Sequence, residues 1–275
     1  RIDLVLTAHP TEVSRRTLLR KYNAIAALLE YRDRGDLIPE EREEARVALK
    51  REITAAWHTD EIRQRRPTPI DEARWGIAVV ENTLWDVIPH YARRLDRMLR
   101  RHTGKPLPLE LTPIRFGSWM GGDRDGNPRV TARVTREVCL LGRWQAAKLY
   151  EQEVEALIGE LSLQAADADL RAVVGEAWEP YRVQLKRVRA RLRLTVRWIE
   201  ARLEGKQAPP GEIYLHTEDL EKPLRDCYHS LHRVGAGIVA EGRLLDLLRR
   251  LACFRLTLMQ LDIRQEASHH IAALD

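Results

Sequence analysis

Hydrophobic and polar positions fall into long helical stripes, broken in three places by short continuous apolar runs. Leu4-Val5-Leu6-Thr7 is apolar or β-branched throughout, the pattern of a short buried strand. Pro10 lacks an N–H and disfavours helical geometry at His9, so this strand is predicted over 3–8. Ile114-Arg115-Phe116-Gly117-Ser118-Trp119-Met120 predicts a second strand over 114–120, and 256–264 a third. The third alternates at its end, with Leu261 and Ile263 against Asp262 and Arg264.

Between the strands the period is helical. Over 11–31, Leu18, Tyr22, Ile25, Ala26 and Leu29 form one stripe, with Thr11 or Ser14 available as cap. Gly35 and Pro39 mark a turn before a helix over 40–58, with Leu49, Ile53, Ala56 and Trp57 inward. Pro67-Thr68-Pro69 predicts an extended elbow. Asp71 is placed to cap the next helix, whose inner side reads Ala73, Ile77, Val80, Leu84, Ile88, Tyr91, Leu95 and Met98, with a kink expected at Pro89. Further helices are predicted over 135–162 and 179–203, then from a Thr217 cap to 234, and again from about 265. Residues 205–211, with paired prolines, read as an exposed linker.

Each strand delivers polar groups at its C-terminal end: His9, the Asp123–Asp125 loop and Arg264. The expected fold is predominantly α-helical with a few short parallel strands, an incomplete TIM-like β/α barrel elaborated by extra helices, in a single partial domain over 1–275. Position 1 directly before a core strand and a dense motif just before Asp275 predict a piece of a longer protein.

Charged residues make up 32% of the chain, in keeping with many surface helices. The net charge of +5 is a small margin between 46 basic and 41 acidic residues, which argues against a dedicated nucleic-acid binder. The basic helix over 179–203, with Lys186, Arg187, Arg189, Arg191, Arg193, Arg197 and Arg202, reads as a solvated face, and a non-catalytic module binding phosphorylated ligands or nucleic acid is the alternative it leaves. Cys139, Cys227 and Cys253 have no metal or disulfide spacing and read as buried thiols of a reducing compartment. No run approaches the ~20 apolar residues of a membrane span, and no signal peptide is visible. A cytoplasmic protein with no membrane partner is expected.

The densest chemistry is Gly121-Gly122-Asp123-Arg124-Asp125-Gly126-Asn127-Pro128-Arg129, a tight loop of alternating charge at a strand end. Its carboxylates are expected to hold Arg124. Arg15 and Arg16 lie at a helix start, where basic charge costs ~0.3–1 kcal/mol each unless an anion is near. His229 and His232 have the i,i+3 spacing of a metal pair but lack a third ligand, and read as ordinary helix residues, as do His269 and His270.

Taken together these segments resemble the phosphoenolpyruvate carboxylase family. Thr7-Ala8-His9-Pro10-Thr11 is similar to one family signature. Phe116-Gly117-Ser118-Trp119-Met120-Gly121-Gly122-Asp123-Arg124-Asp125-Gly126-Asn127-Pro128 is similar to another, far more specific one. Segments 57–63, 67–74 and 261–266 resemble others, in order. The resemblance implies a lyase that joins bicarbonate to phosphoenolpyruvate through carboxyphosphate and an enolate, yielding oxaloacetate and phosphate. It implies His9 as base, Arg264 as catalytic phosphoryl ligand, Trp119 packed against bicarbonate, and Asp123, Arg124 and Asp125 supporting the loop. It hints at an effector anion site of Arg15, Arg16, Arg124 and Arg129. The family's Gly-Arg-Gly-Gly loop, lysine-bearing segment and acidic metal ligands do not occur in this sequence. The implied Mg2+ or Mn2+ would therefore be held outside the chain, which alone should be inactive. The parent enzyme is implied to be a homo-oligomer, a tetramer.

Overall fold

The computed structural model describes residues 2–7, 16–60, 67–125, 127–272 and 274. The chain divides into two compact units, one of residues 8–68 and one of residues 1–7 with 69–275. No helix among the described residues is long and apolar enough to cross a membrane.

The smaller unit is a helical hairpin of α1 (Arg16–Arg32) and α2 (Pro39–Trp57). α2 starts one residue before the predicted position, with Pro39 in the first turn and Glu41 Oε2 accepting the Ile38 N–H at 3.1 Å. Leu18, Ala45 and Leu49 are buried, but Tyr22, Leu29, Ile53 and Trp57 are exposed. The wide apolar stripes predicted for this pair are thus corrected. Two helices meeting along one seam cover only a narrow strip of each.

The larger unit is mostly helical around a parallel sheet, three-stranded among the described residues, in the order β1 (Ile2–Leu6), β2 (Ile114–Ser118), β3 (Gln260–Leu261). β1 pairs with β2 from Ile2↔Ile114 to Leu6↔Ser118, and β2 with β3 at Gly117↔Gln260 and Ser118↔Leu261. The first strand was expected to be buried, yet Ile2, Leu4 and Val5 are exposed. Among the described residues β1 has a neighbour on one side only. The third strand is much shorter than 256–264. Leu256 and Leu258 are buried within a turn instead, where Arg255 (φ 51°) and Leu258 (φ 64°) take left-handed backbone. A short apolar run buried in a turn is indistinguishable by periodicity from a buried strand.

α3 (Pro69–Val79) continues through a π-helical turn at Val80–Leu84 into α4 (Trp85–Thr103). α3 starts before Asp71, which lies in its first turn rather than at a cap. The π turn inserts one extra residue, and the buried positions run from Ala73, Ile77 and Val80 before it to Trp85, Ile88, Pro89 and Ala92 after it, so Ile88 is inward as predicted while the face beyond is centred one position later. Tyr91 and Met98, predicted inward, are exposed for this reason. Pro89 cannot donate to the Trp85 carbonyl four residues back. Arg250 Nε supplies that bond at 2.8 Å from α10 (Arg243–Phe254). The same guanidinium lies 5.1 Å from the Trp85 ring centroid and 3.1 Å from Glu153 Oε1.

The core is built from α5 (Ala132–Glu160), α7 (Pro180–Leu203), α8 (Thr217–Arg233) and α10, with Trp85, Phe116 and Phe254 stacked at 5.5 and 5.6 Å. Short helices α6 (Ala168–Val174), α9 (Gly237–Ala240) and α11 (Ala267–Ala272) fill the connections. α5 is capped by Thr131 and α6 by Asp167, while Thr217 opens α8 as its first residue, not as its cap. The arginines of α7 are not a free basic face. Arg189 meets Glu155 at 2.7 Å, Arg193 meets Glu151 at 2.7 Å, and Arg182, Arg187 and Arg191 donate to backbone carbonyls. Cys227 and Cys253 are buried as expected, whereas Cys139 is exposed on α5.

Candidate active site

The C-terminal ends of β2 and β3 are tied together beyond the last strand residues. Asp262 N–H donates to Ser118 O at 2.9 Å, Arg264 N–H to Gly122 O at 3.1 Å, and Arg124 N–H to Arg264 O at 2.8 Å. Asp123 and Arg264 thereby form an isolated parallel bridge. Two glycines permit this closure. Gly121 takes φ +84°, a left-handed conformation that side chains resist, and a Cβ on Gly122 would overlap the Asp262 carbonyl oxygen. Trp119 begins the turn, with its N–H on Leu6 O at 3.1 Å and its carbonyl accepting from Gly122 and Asp123. All three strands are thus joined at this rim.

The ladder brings Trp119, Asp123, Asp125 and Arg264 into one cluster. Arg264 Nε donates to Asp123 Oδ1 at 2.9 Å, and Nη2 lies 3.2 Å from Asp125 Oδ2. The guanidinium lies 5.3 Å from the Trp119 ring centroid. Its side chain is 49% exposed, so this is a charged group held in a fixed direction at the surface. The carboxylates therefore hold Arg264, not Arg124 as the loop's alternating charge suggested. Arg124 turns toward α5, where Nη2 donates to Thr135 Oγ1 at 3.2 Å and the Thr135 hydroxyl bonds Gly121 O at 2.9 Å. Its Nε is buried without a hydrogen-bond partner among the described residues. Thr135 was missed in the sequence, where it reads as one more residue of a long helix. Its only signal is its position four residues after the Thr131 cap.

Arg129 is exposed, with its N–H on Asn127 Oδ1 at 3.1 Å. His9 and Arg15 lie outside the described residues, and Arg16 begins α1. His232 Nε2 sits 3.4 Å from Glu241 Oε1. Among the described residues no group of three or more His, Cys, Asp or Glu converges as metal ligands. Asp123 and Asp125 already face the Arg264 guanidinium, so this cluster does not fit a divalent cation. A cavity of about 410 Å3 lies between α3, α5 and the sheet, lined by Ile77, Met120, Cys139, Met259 and Leu261 among others, and shares no residue with the charged cluster.

The phosphoenolpyruvate carboxylase family profile matches residues 1–275. The chain is 57% identical over 273 residues to the phosphoenolpyruvate carboxylase of Ectopseudomonas mendocina, covering 99% of this chain and 31% of that protein. It is 54% identical to that of Pseudomonas aeruginosa and 55% to that of Stutzerimonas stutzeri, with the same coverage. It therefore spans about a third of the length of these relatives (31%). A match that runs the whole length of the chain, through both the His-Pro segment and the glycine-rich Asp-Arg-Asp loop, makes this chain a member of the phosphoenolpyruvate carboxylase family.

Proposed function

We propose that this chain supplies one wall of the active site of a phosphoenolpyruvate carboxylase, a carbon–carbon lyase, and is inactive without the rest of the enzyme. The observation that carries the reading is Arg264, a half-exposed guanidinium aligned by Asp123 and Trp119 and faced by Asp125 at the C-terminal rim of a parallel sheet, in a chain of this family. Strand ends of this kind are where β/α enzymes do chemistry. We extend the three strands to part of a TIM-like barrel whose remaining strands come from the rest of the enzyme.

Arg264 binds the phosphoryl oxygens of phosphoenolpyruvate, with further cations from elsewhere. A bicarbonate oxygen attacks phosphorus and the enolate leaves, giving carboxyphosphate. His9, whose side-chain type titrates near neutrality, takes the carboxyphosphate proton. Carboxyphosphate then breaks into carbon dioxide and phosphate, and the enolate carbon attacks carbon dioxide to form oxaloacetate. Trp119 packs against bicarbonate and excludes water. The divalent cation of the family is held by residues outside this chain. Arg124 and Arg129 contribute to an anion site for a phosphorylated effector, a role consistent with the unpartnered Nε of Arg124. The enzyme works as a cytoplasmic homo-tetramer.

The test is His9→Asn in the full-length enzyme. Oxaloacetate formation, followed by coupled reduction to malate, should fall ~10²–10⁴-fold, the range for loss of a general base. An unchanged rate refutes the assignment of His9.

A further inference from the structure

Arg264 carries five N–H donors in a rigid fork. Asp123 takes Nε at 2.9 Å, Asp125 faces Nη2 at 3.2 Å, and Nη1 has no partner among the described residues. Two carboxylates against one guanidinium leave the cluster with a net charge of −1. An anion approaching Arg264 therefore meets repulsion until a carboxylate moves away.

The two carboxylates are not equivalent. Asp123 is locked to Arg264 through the backbone, by the bridge between them and by the flanking bonds of Gly122 and Arg124. Its Oδ1 also accepts the Asp125 N–H at 3.3 Å, and its side chain is 31% exposed. Asp125 lies beyond the last of these ladder bonds. Its side chain is 49% exposed and meets only Arg264 among the described residues. One carboxylate is built into the sheet register, and the other rests on the guanidinium from solvent.

We propose that Asp125 is an intramolecular competitor at Arg264. Its carboxylate covers the Nη2 edge in the free protein and swings toward solvent when the phosphoryl group arrives. Asp123 stays in place as the positioning residue. The proposal rests on the reading of Arg264 as a phosphoryl ligand. It adds that the loop occupies its own anion site before substrate does. An exposed pair of this kind shifts an equilibrium by about 1.4- to 5-fold.

The experiment uses the full-length enzyme at low ionic strength, where surface charge is least screened. KM for phosphoenolpyruvate and kcat are measured for wild type, Asp125→Asn, Asp125→Glu, Asp123→Asn and Arg264→Lys. Calorimetry with sulfate as probe reads anion affinity directly. Asp125→Asn should lower KM and tighten sulfate binding by about 1.4- to 5-fold, and added salt should shrink both effects. Asp125→Glu should return both values toward wild type. Asp123→Asn should do the opposite of Asp125→Asn, raising KM and lowering kcat as the guanidinium loses its direction. If Asp125 merely braced the loop, Asp125→Asn would weaken binding too. A KM that is unchanged or raised in Asp125→Asn, with Arg264→Lys also raised, overturns the competitor role alone. A wild-type KM in Arg264→Lys overturns the reading of Arg264 and the proposal with it.

Discussion

Arg250→Met should open the α4–α10 contact, and the structure says by how much. Arg250 is buried, and its Nε donates at 2.8 Å to the Trp85 carbonyl, the acceptor that Pro89 leaves without an α-helical donor. Methionine fills similar volume but donates nothing, so a buried carbonyl loses its bond, a cost of ~1–3 kcal/mol. The ion pair with Glu153 at 3.1 Å is lost as well. Glu153 keeps Arg243 at 3.1 Å, so its charge is not stranded. The total should therefore lie near the lower end of the ~3–5 kcal/mol for breaking a buried pair. About 3 kcal/mol corresponds to ~10²-fold faster hydrogen exchange in peptides covering 85–103 of the full-length enzyme. The decisive arm is the cycle with Pro89→Ala. Alanine restores an N–H that can reach the Trp85 carbonyl, so Arg250→Met should cost ~1–3 kcal/mol less in that background. If the two substitutions add within ~0.5 kcal/mol, Arg250 is not serving the proline's orphaned acceptor, and this account of the contact is refuted.

Gly122→Ala forces a methyl group onto the Asp262 carbonyl; it should cost ~1–3 kcal/mol in loop protection and raise KM for phosphoenolpyruvate by displacing Arg264, and wild-type exchange with wild-type KM would contradict the close approach. Burial pushes the thiols of Cys227 up to about 12 and Cys253 to about 11. The folded state keeps protons that the unfolded chain releases above pH ~8.5, so stability is fully present below that pH and is lost as pH rises toward the folded values. Each thiol contributes a slope of ~1.4 kcal/mol per pH unit. Protection measured from pH 8 to 10 should fall more gently in Cys227→Ala, and parallel profiles would contradict the buried-thiol account.

Much of the architecture could be read in advance because its signals are local. Pro39 with Glu41 opens α2, Pro180 opens α7, and the Leu203 end with Gly205 behind it needs no tertiary information. The π turn at Val80–Leu84 could not be read, because an inserted residue leaves composition unchanged and shifts only the phase of the later helical turns. The run at 256–259 misled because burial alone makes it apolar, whether strand or turn. At the site, the functional residue types clustered visibly at the ends of the apolar runs. Their pairing did not, since Asp123 and Asp125 choose between Arg124 and Arg264 only through a backbone bridge spanning distant parts of the chain.

That bridge has a consequence for how the family can vary. Because Arg264 takes its direction from main-chain pairing with Gly122 and Arg124, a one-residue slip of the last strand would turn it to the opposite face of the sheet. Side chains on the outer surface of the loop can drift freely, while a single insertion or deletion between Ser118 and Asp123, or between Gln260 and Arg264, would be intolerable. Length, more than chemical identity, is what inheritance must preserve in these two short segments.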